Sequence, residues 1–349
     1  MKTNFKAWGF SFPEDPEVLS VSEKVNACLA LAILAPSTHN IQPWLVEKYS
    51  ESELGVTVNR SRILPAADPY GRDLLQSLGC FIENVAIASK QLHLQVNFIE
   101  SFENDVSNTS IHISFRSIHK TTQPDTDMWK MMYYAIPDRK NSRVLFDTSK
   151  ELPESLVATM GDLNDMPEEL GVLVFNQESE KRYLATITGQ AVYATQSKKA
   201  FRNEFAKIVH NNITKSKIGM PAYSFGLSLI PSLFARFVFG NFNISRALKK
   251  INEKAMSACS AVVIITSKNN TKESWYNVGR LFERISLFLT AKGVKVSVHI
   301  AAAEVETYAN ELMLHINSRN RPQMIFRVGY SNKQVKHTPR APLEDFIVK

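Results

Sequence analysis

The segment "APSTHNIQPW" (Ala35–Trp44) places small, uncharged hydrogen-bonding groups directly after an apolar run of helix formers. Pro36 disfavours helical backbone at the residue before it, so the preceding helix is expected to end there. Neutral hydroxyl and amide groups can satisfy the polar atoms of a ligand without a buried charge. The loop is therefore either a ligand-binding edge or only a helix terminator. Its polar members are Ser37, Thr38, Asn40 and Gln42.

Two further segments gather cationic side chains. The stretch "DRKNSRVLF" (Asp138–Phe146) follows the expected end of a helix, and "HTPRAPLEDF" presents Arg340 between prolines. Forked guanidinium donors with an adjacent amide match the oxygens of a phosphate. The alternative is that each segment is a solvated basic turn. The polar residues of the first cluster are Arg139, Lys140, Asn141 and Arg143.

The usual catalytic signatures are missing from the sequence. It contains no GxGxxG, Walker loop, HExxH, GxSxG or CxxC motif. A lone histidine in a polar loop, such as His39, is more typical of a structural role than of a catalytic one. The sequence therefore gives little support for catalysis by the protein's own side chains or by a bound metal.

Composition indicates a globular protein with an uneven charge distribution. The chain has 349 residues, 44% of them apolar, and a formal charge of +7. Residues 1–180 carry 15 basic and 25 acidic side chains, whereas residues 181–349 carry 26 and 9. Two complementary halves that dock together would explain this pattern, as would a basic half that holds an anion. Nucleic-acid binding is a weaker alternative, because the aromatic residues are not interleaved with the positive ones.

Cysteine usage and the start of the chain predict a cytoplasmic protein. The three cysteines are far apart in sequence and odd in number, which favours reduced thiols. The first twenty residues contain charged side chains and no continuous apolar run, so a secretory signal is not expected.

Periodicity predicts a mixture of helices and strands in two similar halves. Apolar residues at helical spacing predict helices over 21–34, 71–94, 178–211 and 274–294. Alternation predicts strands over 54–60, 94–100 and 111–115, and later runs predict strands over 170–176, 260–267 and 323–330. The helices around Gly79 and Gly279 resemble each other, which indicates a degenerate internal duplication.

An uncharged stretch, "IGMPAYSFGLSLIPSLFA" (Ile218–Ala235), interrupts the second half. Its length would suit a membrane helix, but glycines and prolines divide it and Arg236 follows at once. We expect an apolar flap over residues 215–242 that covers a pocket or packs on the other half. A membrane anchor is the alternative, and no stable membrane insertion is expected.

Three motifs resemble the FMN-dependent nitroreductase superfamily. "APSTHNIQPW" is similar to its Ala-Pro-Ser-x-x-Asn-x-Gln-Pro-Trp loop, "RKNSRVLF" resembles its Arg-rich phosphate motif, and "FRVGY" with "RAPLEDFIV" resembles its C-terminal ending. "NRSRILPAADPYGRDL" resembles the tandem, Acg-like branch, in which one chain carries two nitroreductase-type halves. The resemblance covers nearly the whole chain in motif order.

The resemblance implies an α+β nitroreductase-type fold, with two degenerate halves that form a pseudo-dimer within one chain. The expected halves are residues 1–120, with the polar loop, and residues 121–349, with the arginines and the flap. Family members build each FMN site from two subunits, one giving the loop and the other the arginines. Because each part occurs once here, the resemblance implies one complete site per chain, in a monomer or a dimer of pseudo-dimers.

The same resemblance assigns residues to the cofactor. The loop residues Pro36, Ser37, Thr38, Asn40 and Gln42 would face the flavin ring, and Arg139, Lys140, Asn141, Arg143 and Arg340 would face the phosphate. Lys254 would lie near the ring, where a positive charge favours the reduced, anionic form, although a solvated helix face is an equal alternative. The backbone near His299 and Ala301 would lie beside the reactive flavin nitrogen.

The implied activity is that of an oxidoreductase in which the flavin carries the chemistry and no side chain is catalytic. FMN would accept hydride from NADH or NADPH and reduce a small acceptor such as a nitro compound or quinone. The first alternative is a protein that binds or sequesters FMN with little or no turnover, because the apolar flap could cover the flavin face. The weaker alternative is the basic nucleic-acid-binding protein.

Overall fold

A computed structural model describes residues 3–118, 127–167 and 169–348. The boundary expected between residues 120 and 121 lies outside the described residues. The described chain mixes helices with mainly antiparallel sheets, which confirms the α+β class.

The first sheet is built mainly from the N-terminal part of the chain. Its order is β11-β1-β2-β4-β3, and only the short β11 runs parallel to its neighbour. The C-terminus therefore returns to the sheet of the first half. The strands are β1 Trp44–Lys48, β2 Glu53–Val58, β3 Leu94–Ser101, β4 Ser110–Ser117 and β11 Ile347–Val348.

The second sheet is built from later strands and is antiparallel throughout, in the order β5-β8-β10-β9. Its inner strand β8 is buried at every residue, as expected for an apolar run covered on both faces. A separate parallel pair is formed by β6 and β7. The strands are β5 Leu170–Phe175, β6 Val209–His210, β7 Met220–Pro221, β8 Ala261–Ser267, β9 Lys295–Val298 and β10 Arg321–Gly329.

Two long helices, α2 and α9, pack against each other in the main core. The remaining helices surround the two sheets and build the flap. The helices are α1 Val21–Ala32, α2 Arg72–Gln91, α3 Asp127–Ala135, α4 Glu154–Asp162, α5 Glu178–Gln196, α6 Lys199–Ile208, α7 Leu229–Asn241, α8 Ser245–Ser257, α9 Lys272–Ala291, α10 Ala301–Glu304 and α11 Glu306–His315.

The predicted start of α1 is confirmed by a complete capping box. The Ser20 hydroxyl accepts from the Glu23 backbone N–H, and the Glu23 carboxylate accepts from the Ser20 N–H. The single long helix predicted over 178–211 is wrong, because the chain breaks into α5 and α6. Lys198 has extended backbone, and Arg202 satisfies the freed carbonyls of Gln196 and Ser197.

The flap has a small hydrophobic core of its own, which α6, α7 and the β6–β7 pair enclose. The uncharged stretch therefore contains a helix, and Pro231 is tolerated because it lies in the first turn of α7. None of the helices in the described ranges has the length and apolar character needed to cross a bilayer.

Candidate functional site

A cavity of about 290 Å³ lies where the polar loop and both arginine segments meet. Its size is at the lower end of the range for small-molecule sites. Eleven of the thirteen residues assigned to the cofactor from the sequence line it. These are Pro36, Ser37, Thr38, Asn40, Arg139, Lys140, Asn141, Arg143, His299, Ala301 and Arg340.

The polar loop has an unusual backbone. His39, Asn40 and Gln42 have positive φ angles of 50°, 59° and 52°. Residues with a side chain rarely adopt this left-handed conformation, which costs on the order of 1 kcal/mol or more at each position. The loop holds this shape because its neighbours fix it at several points.

Asn40 fastens the loop to the flap and to the C-terminal segment. Its amide donates to the backbone carbonyls of Gly219 at 2.9 Å and Pro339 at 2.8 Å, and its own carbonyl accepts from the Gly219 N–H at 3.0 Å. Both side-chain N–H groups are therefore used within the protein. Only the Oδ1 oxygen of this side chain remains to meet a ligand.

Gln42 does not line the cavity. It is fully buried, and its amide donates to the carbonyl of Lys217 at 2.8 Å while its Oε1 accepts from the N–H of Ala341 at 3.0 Å. The contact with a flavin ring that was expected for Gln42 is therefore not supported. Its side chain instead holds the backbone behind the loop in position. Through Ala341 it also fixes the backbone next to Arg340.

Lys254 is also absent from the cavity lining. Its side chain is exposed on α8, so the structure favours the solvated helix face that the sequence left open.

Arg139 and Arg340 come from distant segments and meet at the end of the first helix. Arg139 donates to the carbonyl of Leu34 at 3.2 Å, and Arg340 donates to the carbonyl of Ala35 at 2.8 Å. Cations are favourable beside the carbonyls at a helix C-terminus. Both guanidinium groups are thus oriented by the backbone that leads into the polar loop.

The buried carboxylate of Glu283 lies beside these two arginines. Its Oε1 is 3.2 Å from the Arg139 Nε, a close charge contact without the alignment of a hydrogen bond. Burial raises the pKa of Glu283 to about 7, although Arg139 and Arg340 oppose the increase. Burial and the nearby Arg139 lower the pKa of Arg340 to about 9. A single carboxylate therefore faces two buried cations.

Arg143 has no carboxylate partner among the described residues. Its guanidinium lies over the Phe225 ring at 4.8 Å and donates to the Met220 sulfur at 3.7 Å. The side chain is solvent-exposed where it lines the cavity. Its charge is therefore reachable by a ligand.

A further buried cation, Arg327, lies directly behind the cavity wall. Its Nε donates to the His299 Nε2 at 3.1 Å, and its Nη2 donates to the carbonyl of Val144 at 2.7 Å. The remaining nitrogen, Nη1, is buried without a partner. Because the His299 Nε2 accepts this bond, its Nδ1 carries the hydrogen that reaches Asn252 Oδ1 at 2.9 Å.

Three histidines line the cavity, and burial is the main cause of the lowered pKa of each. Burial, followed by the charge of Arg143, lowers the pKa of His39 to about 3. Burial, followed by Lys140, lowers the pKa of His337 to about 3, and burial with Arg327 lowers that of His299 well below its ordinary value. All three rings are neutral at physiological pH. The positive charge of the cavity therefore comes from its arginines and lysines.

A pair of carboxyl groups, Asp73 and Glu304, also lines the cavity. They share a hydrogen bond, which requires one proton between them, and burial is the largest cause of the raised pKa of each. One turn along the same helix as Asp73, the Ser77 hydroxyl accepts from the Thr38 N–H at 3.2 Å and helps to hold the polar loop.

Several of these residues were not found by sequence reasoning. Asp73 and Glu304 lie on different helices more than 200 residues apart, and neither belongs to a local motif. In the sequence, Arg327 is only one residue of the C-terminal "FRVGY" motif, and Glu283 is only one charged position on an amphipathic helix. Only the three-dimensional arrangement identifies them.

No family model matches the chain. Among known proteins, the chain is 21% identical over 348 residues to "Putative NAD(P)H nitroreductase acg" of Mycobacterium tuberculosis, covering 95% of this chain and 97% of that protein. An uncharacterized protein of the same organism is 32% identical over 126 residues, and this match spans 35% of each chain. The full-length match confirms the predicted resemblance to an acg nitroreductase.

Solved structures that match part of the chain include the FMN-dependent nitroreductase NfnB from Mycobacterium smegmatis in complex with NADPH. It is 15% identical, with a TM-score of 0.39, and the match covers 62% of this chain and 96% of that one. A nitroreductase with bound FMN from Bacteroides fragilis is 9% identical, with a TM-score of 0.37, covering 59% and 92%.

Proposed function

We propose that this chain binds one FMN in the cavity and passes electrons from NADH or NADPH to a small organic acceptor such as a nitro compound or quinone. One observation carries the proposal. The cations beside the cavity outnumber the carboxylates that could neutralise them, and an uncharged polar loop lines the same cavity. A phosphate would supply the missing negative charge, and a neutral ring would suit the loop. The full-length relative is named as an NAD(P)H nitroreductase, which supports this assignment.

The residues present fit a flavin phosphate. Arg143 is exposed to the cavity and has no carboxylate partner among the described residues, and the Nε of Arg340 is buried without a partner. Charge-assisted hydrogen bonds from such groups to phosphate oxygens are among the stronger polar contacts in proteins. Arg143, Arg340 and Lys140 would therefore hold the phosphate. Arg139, which Glu283 already faces, would contribute less.

The polar loop would hold the ring. Ser37 and Thr38 line the cavity with neutral hydroxyl and backbone groups, and the Oδ1 of Asn40 is available as an acceptor. The backbone from His299 to Ala301 would lie beside the ring. FMN would supply the electron-transfer chemistry when bound, while the chain orients it, excludes water and sets the local charge.

We further propose that the cofactor is FMN and not FAD, and that one chain makes one site. The sequence has no Gly-rich dinucleotide turn of the kind that binds a pyrophosphate. The loop belongs to the first proposed half, residues 1–120, and the phosphate residues belong to the second, residues 121–349. A monomer would then suffice for cofactor binding.

The spectrum of the purified protein tests this function. Flavin absorption in the near ultraviolet and blue, at one FMN per chain, is expected, and anaerobic NADPH or NADH should bleach it. Re-oxidation by a quinone or nitroarene would complete the cycle. A protein that retained no flavin after incubation with FMN would contradict the proposal.

A second candidate function is flavin storage without turnover. It is favoured by one observation, that Met220 and Ser224 of the flap and Phe201 of α6 contribute to the cavity lining. The flap could then restrict the access of a nicotinamide to the ring. Bound FMN that neither NADH nor NADPH reduces would identify this function.

A further inference from the structure

One face of α7 carries apolar side chains that point into solvent. Ile230, Leu233, Phe234 and Phe237 have exposed fractions of 73%, 51%, 60% and 59%. Their spacing of three, four and seven residues places them on one side of the helix. This stripe is the opposite of what a water-facing helix surface normally presents.

The opposite side of α7 holds the helix in place. Ser232, Ala235 and Phe239 are buried, and the last two belong to the small core of the flap. The Ser232 hydroxyl also accepts from the backbone N–H of Asn212 at 3.1 Å. The helix is therefore anchored through its buried face, and its exposed apolar face has no evident role in that packing.

Exposed large hydrophobic residues of the chain are clustered at α7. Seventeen large hydrophobic residues are exposed in the described part of the chain, and six of them fall between Leu229 and Phe242. Single exposed apolar residues need no explanation, but a contiguous patch marks an interaction surface.

The segment that contains this patch carries only basic charges, and two of them, Lys217 and Lys249, pair with Asp345 and Glu253 outside the segment. Between Phe205 and Asn252 the sequence contains seven basic residues and no acidic residue. Leu248 of α8 packs on the same small core as α7, so α7 and α8 form one structural unit. The basic residues are Lys207, Lys215, Lys217, Arg236, Arg246, Lys249 and Lys250.

We propose that α7 is a docking helix for an anionic lipid bilayer, lying in the plane of the interface with its apolar stripe immersed. Aromatic and aliphatic residues on one face with basic residues around them are typical of interfacial helices. At 13 residues α7 is about 20 Å long, which is too short to span a hydrocarbon core of about 30 Å. A second copy of this chain would instead bring two positively charged surfaces together.

Co-sedimentation of the full chain with vesicles tests the proposal, using phosphatidylcholine alone or with one quarter phosphatidylglycerol. The test variant is Ile230→Ser/Phe234→Ser/Phe237→Ser. Its matched control is Val18→Ser/Ile99→Ser/Leu314→Ser, which removes three exposed apolar side chains elsewhere. Flavin is not needed, so the outcome is independent of the proposed enzymatic function.

The parent and the control should bind the anionic vesicles, and binding should weaken as salt increases. The α7 variant should bind at least about 100-fold more weakly. Arg236→Gln/Arg246→Gln/Lys250→Gln should lose about 10-fold, more than the equally charged Arg116→Gln/Lys292→Gln/Lys333→Gln.

Two results would overturn the proposal. The first is vesicle binding by the α7 variant equal to that of the parent. The second is a parent that binds no vesicles and sediments as a dimer that the α7 variant converts to a monomer, which would assign the face to a second copy.

Discussion

Gly79 and Gly279 each contact the backbone of the opposite central helix at reciprocal positions. A Cβ atom on Gly79 would lie 2.1 Å from the carbonyl oxygen of Tyr276, and one on Gly279 would lie 2.0 Å from that of Gln76. Tyr276 and Gln76 each precede a glycine of the pair by three residues. The crossing of α2 and α9 is therefore nearly symmetric, as two duplicated halves would make it.

Replacing either glycine should separate these helices. Gly79→Ala or Gly279→Ala is expected to lower the free energy of unfolding by about 2 kcal/mol or more, because a backbone carbonyl cannot move aside as a side chain can. Chemical denaturation measures the change. Gly161→Ala is the control, since a Cβ there meets open space on α4 and should stabilise by up to about 1 kcal/mol. Equal stability of the parent and both central variants would refute the close crossing.

The central helices were predictable because each carries a long apolar stripe at helical spacing, and the similarity around Gly79 and Gly279 indicated their relation. The break between α5 and α6 was not, because no glycine or proline marks it. At this break the Arg202 side chain donates to the carbonyls of Gln196 and Ser197, which the end of α5 leaves free, and so caps that helix. Such a tertiary capping contact leaves no local pattern in the sequence.

The tie between the flap and the polar loop depends on Gly219. This residue has a φ of +81°, and a Cβ there would lie 2.4 Å from the Ile208 carbonyl oxygen. Gly219→Ala should displace the peptide that bonds Asn40 and weaken the binding of FMN and riboflavin alike, by about 10-fold. Titration of flavin fluorescence measures both affinities.

Gly226→Ala is the matched control for this change. Gly226 has a similar φ of +80° but open space around its Cβ position, so it imposes backbone strain without the clash. Its flavin affinities should remain within about two-fold of the parent. If both variants lost affinity equally, the effect would be general strain in the flap and not the loop contact.

Glu283 should make FMN binding depend on pH. Its raised pKa of about 7 means that it is mostly ionised at pH 8, where it offsets Arg139 and Arg340, and mostly protonated at pH 6. Glu283→Gln is therefore expected to bind FMN about 10-fold more tightly than the parent at pH 8, with the difference largely lost at pH 6. At each pH the affinity of Glu283→Gln is divided by that of the parent, so the effect of phosphate ionisation, which is common to both proteins, drops out.

Riboflavin is the control for the Glu283 variant, because it lacks the phosphate and should bind the parent and Glu283→Gln equally at both pH values. An affinity ratio for FMN that did not change between pH 6 and pH 8 would show that Glu283 does not compete with the phosphate for these arginines.

The candidate site shows the same division between what sequence can and cannot predict. The polar loop and both arginine segments were recognisable because their residues are adjacent in sequence. Gln42 and Lys254 could not be placed, because a residue type does not reveal whether its side chain faces the cavity or lies behind it. In the structure, Gln42 lies behind the loop and hydrogen-bonds the backbone of Lys217 and Ala341, whereas Lys254 is exposed.

The central claim is that the cavity holds FMN through its phosphate. Arg143→Ala should weaken FMN binding by about 10-fold, and Arg143→Ala/Arg340→Ala by at least about 100-fold, taking the low end for a charge-assisted bond at each position. Riboflavin affinity should barely change in either variant. Arg116→Ala/Arg319→Ala is the matched control, because it lowers the net charge by the same two units but removes exposed arginines outside the cavity.

The most direct measurement is the dissociation constant of FMN, set beside that of riboflavin, for the parent, this control and the double arginine variant. Circular dichroism would confirm that each is folded. We predict a selective loss for FMN of at least about 100-fold in the Arg143→Ala/Arg340→Ala protein only. A folded double variant that bound FMN as tightly as the parent would contradict the assignment of the whole site.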